Sequence, residues 1–118
     1  MQDNVSSEVT AWKSQIKKGT LELAILALLE AKRSYGLELL TQLNDLDMAV
    51  SEGSIYPLLA RLRAEKKVTT QWVDESVGHA HKYYSLTPYG RKILSKMLIA
   101  WREYTKAIDG VISKVNPQ

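Results

Sequence analysis

The sequence predicts a mainly α fold of the α+β type, in which four or five helical segments, depending on whether Gly19 divides the first, are combined with one short β-hairpin. Apolar residues recur every three or four positions in four separate stretches, which is the spacing of one helix face. Between the third and fourth stretches, two runs of β-branched and aromatic residues flank a polar segment. At 118 residues the chain is long enough for one hydrophobic core and too short for two independent globular domains.

Composition excludes several classes of function. The chain has no cysteine, so it forms neither a disulfide framework nor a thiolate metal site, and its two histidines cannot make a zinc site alone. Residues 1–10 lack the features of a signal peptide, and the longest apolar stretch, residues 23–29, is too short to span a membrane. We therefore expect a cytoplasmic protein without metal, cofactor or membrane partner. The net charge of +3 is compatible with polyanion binding but is common in other proteins.

The N-terminal part of the chain predicts two helical segments. One apolar stripe recurs at intervals of four, three and four residues: Val5, Val9, Trp12 and Ile16. This spacing predicts an amphipathic helix. Residues 20–31 are apolar almost all round, as in a helix at the centre of a small core. The sequence leaves open whether Gly19 separates the two segments, and residues 32–34 predict a polar turn.

Two shorter helices are predicted next. Ser34 is expected to cap the second helix, which ends near residues 45–47. Its apolar stripe is Leu37, Leu40, Leu43 and Leu46. Ser51 is expected to cap the third helix, with Glu52 in the first turn. The third stripe is Ile55, Leu58, Leu59 and Leu62. Because few residues separate these helices, they must meet at an angle across a tight turn, which is the helix-turn-helix arrangement.

The β-hairpin is predicted from residues 68–73 and 81–86, separated by a polar segment that contains Gly78. Such a hairpin would be marginally stable unless it packed on the helices. A hairpin directly after the third helix is the wing of a winged helix.

A long C-terminal helix is predicted to begin at Thr87-Pro88, with threonine as the N-cap and proline in the first turn. Its apolar residues follow a heptad seam: Met97, Trp101, Tyr104, Ile108, Val111 and Val115. A helix of this length would span roughly 40 Å, more than a core of this size can cover. We expect a second copy of the chain and the stripe of Trp12 and Ile16 to cover the projecting seam, which predicts a homodimer.

Four motifs in order identify a known family. They are Lys18-Gly19-Thr20-Leu21-Glu22-Leu23, Ser34-Tyr35-Gly36-Leu37-Glu38-Leu39, Glu52-Gly53-Ser54-Ile55-Tyr56-Pro57-Leu58-Leu59-Ala60-Arg61-Leu62 and Lys82-Tyr83-Tyr84-Ser85-Leu86-Thr87. Together they resemble the PadR-like transcriptional regulators, over about residues 16–105. The single helix after the hairpin is similar to the compact subfamily that includes multidrug-sensing repressors.

This resemblance implies a homodimeric, sequence-specific regulator, expected to be a repressor, that binds a pseudo-palindromic operator in double-stranded DNA. It implies a DNA-binding domain in residues 1–87 and a dimerisation helix in residues 88–118. The recognition helix, residues 51–65, would enter the major groove with Ser51, Glu52, Ser54 and Ile55 nearest the base edges. The candidate DNA-binding residues are Lys18, Thr20, Tyr35, Ser51, Gly53, Ser54, Tyr56, Arg61, His79, His81 and Lys82.

The resemblance also implies a cavity at the dimer interface, where a flat aromatic effector could stack on Trp101. The residues expected at this pocket and interface are Trp12, Ile16, Met97, Trp101, Tyr104 and Ile108. The alternative is that the seam only packs as a coiled coil. Arg61, near the end of the third helix, could likewise complement the helix dipole instead of contacting DNA.

The wing departs from the family pattern. Where relatives carry arginines in Gly-Arg-Pro-Arg-Lys-Tyr-Tyr, this chain has His79 and His81. Histidine is mostly neutral at pH 7, so we expect a wing with weaker or pH-dependent attraction for phosphate. The alternative function is a winged-helix protein-interaction module with little DNA affinity. No catalytic constellation or phosphate loop is evident in the sequence, so we do not expect an enzyme.

Overall fold

Two long helices and a small sheet enclose the core of the protein. The computed structural model describes residues 2–76 and 78–115; residue 1, residue 77 of the predicted polar segment and residues 116–118 of the predicted dimerisation helix lie outside the described residues. The elements in chain order are α1 (Gln2–Ala31), β1 (Ser34–Tyr35), α2 (Gly36–Asp45), α3 (Glu52–Ala64), β2 (Val68–Ser76), β3 (His79–Leu86) and α4 (Pro88–Val115). This order confirms the predicted winged helix-turn-helix with a long C-terminal helix.

The N-terminal segments form one continuous helix. α1 runs through Gly19, which settles the question that the sequence left open. A glycine inside a helix costs only about 1 kcal/mol relative to alanine, so good helix formers on both sides can carry the helix across it. Residues 4–16 of α1 are exposed, whereas the second half of the helix enters the core at Leu21, Ile25, Leu26 and Leu29.

The core draws apolar side chains from α1, all three remaining helices and the sheet. Besides the four α1 residues, it contains Leu39, Leu43, Val50, Ile55, Leu59, Leu62, Val68, Tyr84, Leu86 and Leu94. Burial of each large aliphatic side chain contributes roughly 1.5 to 3 kcal/mol, so this shared core holds the helix-turn-helix and the hairpin in one unit.

The predicted start of α2 is wrong, and its predicted apolar stripe faces the core only in part. Ser34 does not cap the helix; it is buried in β1, where it pairs with Tyr84, and Tyr35 occupies the N-cap position. The residues that α2 buries are Gly36, Leu39 and Leu43, whereas Leu37 and Leu46 are 52% and 67% exposed. Residues 36–46 contain five leucines, which can be grouped into more than one helical stripe. The spacing of the leucines alone therefore does not select the face of α2 that meets the core.

The sheet has three antiparallel strands in the order β1-β3-β2. The hairpin pairs Val68 with Leu86 and Trp72 with Lys82, and it continues into the segment that the sequence predicted as a loop. Backbone pairing does not need apolar side chains, which explains why both strands are longer than predicted. β1 was missed, because two residues in a polar turn carry no strand pattern.

α4 begins where the sequence predicts it. The backbone N–H of Gly90 donates to Thr87 Oγ1 at 2.9 Å, and that hydroxyl donates to the carbonyl of Lys66 at 2.6 Å, which ties the helix start to the end of the α3 segment. The second half of α4 is exposed apart from Thr105. The radius of gyration is 17.3 Å, compared with about 13 Å for a compact chain of some 100 residues, so the long helices project from the core.

Candidate nucleic-acid interface

The turn between α2 and α3 is held by the side chain of Asn44. Its Nδ2 donates to the carbonyl of Val50 at 3.1 Å, and the Val50 N–H donates to its Oδ1 at 2.6 Å. Within the turn Asp47 and Ala49 have φ values of 64° and 52°, a conformation that non-glycine residues seldom adopt. The two Asn44 bonds therefore stabilise a backbone that sets the angle between α2 and α3. Asn44 was not predicted as a functional residue. Its only signal in the sequence was an amide side chain at the end of a predicted helix, where asparagine often hydrogen-bonds a turn.

α1 also contacts this turn. Lys17 Nζ donates to the carbonyl of Ala49 at 3.0 Å. Lys18, the predicted site residue beside it, is exposed. Thr20, another predicted site residue, is half-buried, and its hydroxyl donates to the carbonyl of Ile16 within α1 at 2.8 Å. Of Lys18 and Thr20, only Lys18 lies near the start of α3, where it lines a groove between α1 and α3.

The predicted recognition helix, residues 51–65, corresponds to α3 (Glu52–Ala64) to within one residue at each end. Ser51 is the N-cap residue by its extended backbone, but its hydroxyl donates to Ser54 Oγ at 3.3 Å instead of capping the helix. Ser51, Gly53 and Ser54 are exposed. Ile55 is fully buried, so the expectation that it lies near base edges is wrong. The helical period turns position 55 to the core, where it packs with the rest of the apolar stripe.

A groove of about 710 Å³ separates α1 from α3. Lys18, Ser51, Ser54 and Arg61, which the sequence predicts as site residues, all line it. The apolar part of the groove lining includes Leu21, Val50 and Leu58. Predicted residues from two distant parts of the sequence thus come together beside the exposed N-terminal end of α3.

Arg61 is engaged in ion pairs at the far end of this groove. Its guanidinium lies 2.8 Å from Glu22 of α1 and 3.0 Å from Glu65, and Lys67 Nζ is 2.8 Å from Glu22. Burial raises the pKa of the Glu22 carboxyl, but hydrogen bonds from Lys67 and Arg61 outweigh it and hold that pKa below its ordinary value. The network joins α1 to the C-terminal end of α3, and the sequence reasoning missed Glu22.

Two predicted site residues, Tyr56 and Tyr35, are neighbours of Gly36, one by packing and one along the chain. Tyr56 is 41% exposed, and its ring packs against Gly36 at the start of α2. Tyr35 stacks on His81 of β3, with ring centroids 4.1 Å apart and an angle of 11° between the planes. Predicted site residues from the helix-turn-helix and the wing are thereby in contact.

The wing extends this aromatic cluster. Tyr83 lies edge-on to Tyr35 with a centroid distance of 5.3 Å, and the guanidinium of Arg33 lies 4.8 Å from the Tyr83 ring. Arg33 lies between α1 and β1, in the predicted polar turn. The hydrogen bond to the Glu75 carboxylate raises the pKa of Tyr83 to about 12, so this hydroxyl stays protonated at neutral pH. His79 is exposed near the wing tip, and Lys82 Nζ lies 5.9 Å from the Tyr84 ring.

The residues expected at the effector pocket lie along α1 and α4. Met97 is half-buried against the core, whereas Trp101, Tyr104 and Ile108 are 42%, 65% and 40% exposed. Trp12 and Ile16 are exposed on α1. Neither Trp12 nor Trp101 lines the α1–α3 groove. A single chain therefore leaves these apolar residues facing outward.

The described part of the chain shows neither a metal cluster nor a membrane-spanning helix. Residues 2–76 and 78–115 contain no cluster of three or more histidine and carboxylate side chains arranged to hold a metal ion. None of the described helices has an apolar stretch that would carry it through a membrane.

Comparisons with known proteins agree with the geometry. Residues 25–96, more than half of the chain, match the transcriptional regulator PadR-like family. The crystal structure of a PadR-like transcriptional regulator from Bacillus cereus is 36% identical with a TM-score of 0.77, covering 83% of this chain and 96% of that one. A PadR-like transcription factor from Bacteroides fragilis is 33% identical with a TM-score of 0.72, covering 86% of this chain and 98% of that one.

A curated but uncharacterized protein of Lysinibacillus sphaericus is 29% identical over 100 residues, which are 82% of this chain and 92% of that protein. The family match spans the helix-turn-helix and the wing in full. The chain therefore belongs to the PadR-like family of transcriptional regulators, which bind DNA and are not enzymes.

Proposed function

We propose that the protein is a cytoplasmic homodimer that represses transcription by binding a pseudo-palindromic operator. Residues 1–87 would form the DNA-binding domain and residues 88–118 the dimerisation helix. The observation that carries the proposal is the exposed start of α3, where Ser51, Gly53 and Ser54 lie together beside Lys18. Small polar side chains at the first turn let the helix enter the major groove, and the adjacent cation can neutralise phosphate.

The exposed seam of α4 supports the dimer. Trp101, Tyr104 and Ile108 would be an apolar patch on a monomer, and a second copy related by a two-fold axis covers such a patch with the same surface. The two-fold axis would then present two α3 helices to half-sites about 34 Å apart, one turn of the duplex.

An aromatic effector is proposed for the same interface. Trp101 and Tyr104 offer ring faces on which a flat apolar molecule can stack, and Met97 supplies an adaptable side chain beside them. Binding there would alter the spacing of the two α3 helices and so lower operator affinity.

Sedimentation and DNA binding test the proposal together. The wild-type protein should sediment as a dimer and bind a duplex selected from a random pool, with a palindromic footprint. Affinity should fall by roughly 150- to 500-fold between 50 and 200 mM salt if four or five phosphates are neutralised. The Ile108→Asp variant should be monomeric and bind far more weakly, because it places a charge in the seam. Lys114→Gln, also exposed on α4, is the matched control.

Three results would contradict the proposal. A wild-type monomer at working concentrations would remove the two-fold arrangement. DNA affinity without salt dependence or footprint would favour the protein-interaction module. Effector binding unchanged in Trp101→Ala would remove the proposed pocket while leaving the regulator intact.

A further inference from the structure

A second cleft, between the wing and the helix-turn-helix, holds exposed apolar side chains that the proposed function does not explain. Its volume is about 380 Å³. Its lining includes Leu37, Tyr56, Trp72, His81 and Lys82. Of the described residues that line it, none is acidic.

Trp72 is the most exposed aromatic ring of this cleft. It lies on β2 and is 67% exposed, although large aromatic side chains usually contribute to cores or interfaces. Its direct partner across the hairpin is Lys82. Residues opposite each other on paired strands project from the same face, so the indole and the ammonium stand side by side. Lys82 and Tyr84 share this face because strand residues alternate, and Tyr84 is buried in the core.

The opposite wall of the cleft belongs to the helix-turn-helix. Leu37, in the first turn of α2, is 52% exposed, and Tyr56 of α3 is 41% exposed. Tyr56 is part of the exposed face of α3 as well, so the cleft is continuous with the surface proposed to meet the major groove. A duplex that accepted α3 would bring a strand backbone to this cleft between α3 and the wing.

The chemistry of the cleft matches a sugar–phosphate strand. Deoxyribose offers apolar faces that an indole and a leucine can cover, and phosphate takes a cation and a hydroxyl. The cleft provides two exposed apolar side chains, the Lys82 ammonium and the Tyr56 hydroxyl. None of its described lining residues is acidic, so no carboxylate in the cleft repels the negatively charged phosphates.

We propose that Trp72 and Leu37 clamp the deoxyribose of one operator strand while Lys82 binds the adjacent phosphate. This inference rests on the proposed function, since it concerns the same duplex. Sugar and phosphate contacts carry no base identity, so the clamp adds affinity for any duplex and no sequence preference. Trp72 acts through apolar burial, whereas Lys82 acts through charge, and the two therefore differ in their dependence on salt.

The test compares Trp72→Ala, Lys82→Gln and the wild type by fluorescence anisotropy, on the selected operator and on a scrambled duplex. Trp72→Ala should bind both duplexes roughly tenfold more weakly, with an unchanged slope of affinity against salt. Lys82→Gln should weaken both and lower the slope by about one. Gln71→Ala, at the neighbouring exposed position of β2 that points to the other face, is the control and should bind like the wild type.

Tryptophan emission gives a second readout. Operator binding should shift the emission of the wild type to shorter wavelength and protect it from acrylamide, and Trp72→Phe should remove most of this change. Because Trp72 is largely exposed, Trp72→Ala and Trp72→Phe should both keep the thermal unfolding midpoint of the wild type.

The outcomes separate the inference from the proposed function. If the wild type binds the operator and Trp72→Ala binds within twofold of it, the inference is overturned and the regulator stands. A loss confined to the operator would show base reading and would also overturn the clamp. A wild type that binds neither duplex with salt-dependent affinity overturns the proposed function, and the clamp with it.

Discussion

The phenol ring of Tyr56 in α3 lies against Gly36 at the start of α2. A methyl group at position 36 would come within 2.9 Å of the Cζ and hydroxyl oxygen of Tyr56. Two of the motifs that identify the family, one containing Tyr35-Gly36 and one containing Gly53 to Tyr56, therefore meet in one contact. The backbone of Gly36 is helical and does not itself call for glycine. The position lacks a side chain because the Tyr56 ring, where it lies, leaves no room for one.

The contact predicts the effect of Gly36→Ala. The added methyl group should displace the Tyr56 ring, because the neighbouring atoms are the far end of a flexible side chain. The free energy of unfolding should change by less than about 1 kcal/mol, since alanine favours the helix. Operator affinity, measured by anisotropy, should fall roughly tenfold because the displaced hydroxyl no longer meets phosphate.

A double-mutant cycle provides the control. In a Tyr56→Ala background, Gly36→Ala should have no further effect on affinity, because the clash is gone. If Gly36→Ala weakened binding equally in both backgrounds, the contact between the two residues would not be the cause.

A second glycine, Gly90, is predicted to contribute strongly to stability. At Gly90 an added methyl group would meet the backbone carbonyl of Lys67, which cannot move like a side-chain end. Gly90→Ala should lower the free energy of unfolding by about 3 kcal/mol in urea denaturation, because overpacking forces the start of α4 away from the loop. Gly19→Ala is the comparison: nothing lies within 4 Å of its added methyl group, and the variant should be about 1 kcal/mol more stable. Equal effects at both positions would contradict the close approach at Gly90.

The ion pairs of Glu22 predict a pH-dependent contribution to stability. Glu22→Gln should lower the free energy of unfolding at pH 7 by about 1 kcal/mol, since Lys67 and Arg61 lose their charged partner and Arg61 is half exposed. The folded pKa of Glu22 lies below its ordinary value of 4.5. Its stabilisation is therefore complete above that value and disappears as pH falls through the folded pKa.

Urea denaturation of both proteins between pH 7 and pH 3 measures this difference. The wild type and Glu22→Gln should converge at the acidic end. A difference that stayed constant with pH would show that glutamine disturbs packing and that the charge of Glu22 contributes little.

The wing histidines predict weak attraction of the wing for DNA phosphate. His81 stacks on Tyr35, in a cluster that also holds Tyr83 with Arg33 over its ring and Glu75 at its hydroxyl. Arginine carries a fixed charge, so the His79→Arg/His81→Arg variant should bind DNA more tightly than the wild type, with a salt slope that is steeper by up to about two.

Fluorescence anisotropy at several salt concentrations measures both the affinity and the slope. An arginine variant whose affinity and slope equal those of the wild type would remove positions 79 and 81 from the DNA contact.

Much of the fold follows from local pattern alone. α3 and α4 were predicted to within one or two residues, because their apolar residues fit a single helical stripe and polar residues mark their starts. The hairpin was predicted from its β-branched and aromatic residues, although its length was not. The motifs identified the family from residues that lie together in sequence.

The remaining features depend on partners that lie far apart in the chain. Ser34 forms a strand only because β3 pairs with it, and the inner face of α2 is selected by what packs on it, since its leucines allow several faces. The same holds for Glu22 with Arg61 and for Trp72 beside Leu37 in one cleft. The sequence by itself determined most of the helices, the presence of the hairpin, their order and the family, because periodicity and capping are local. Tertiary structure alone decided which side chains meet, because contact and burial depend on the folded arrangement of the whole chain.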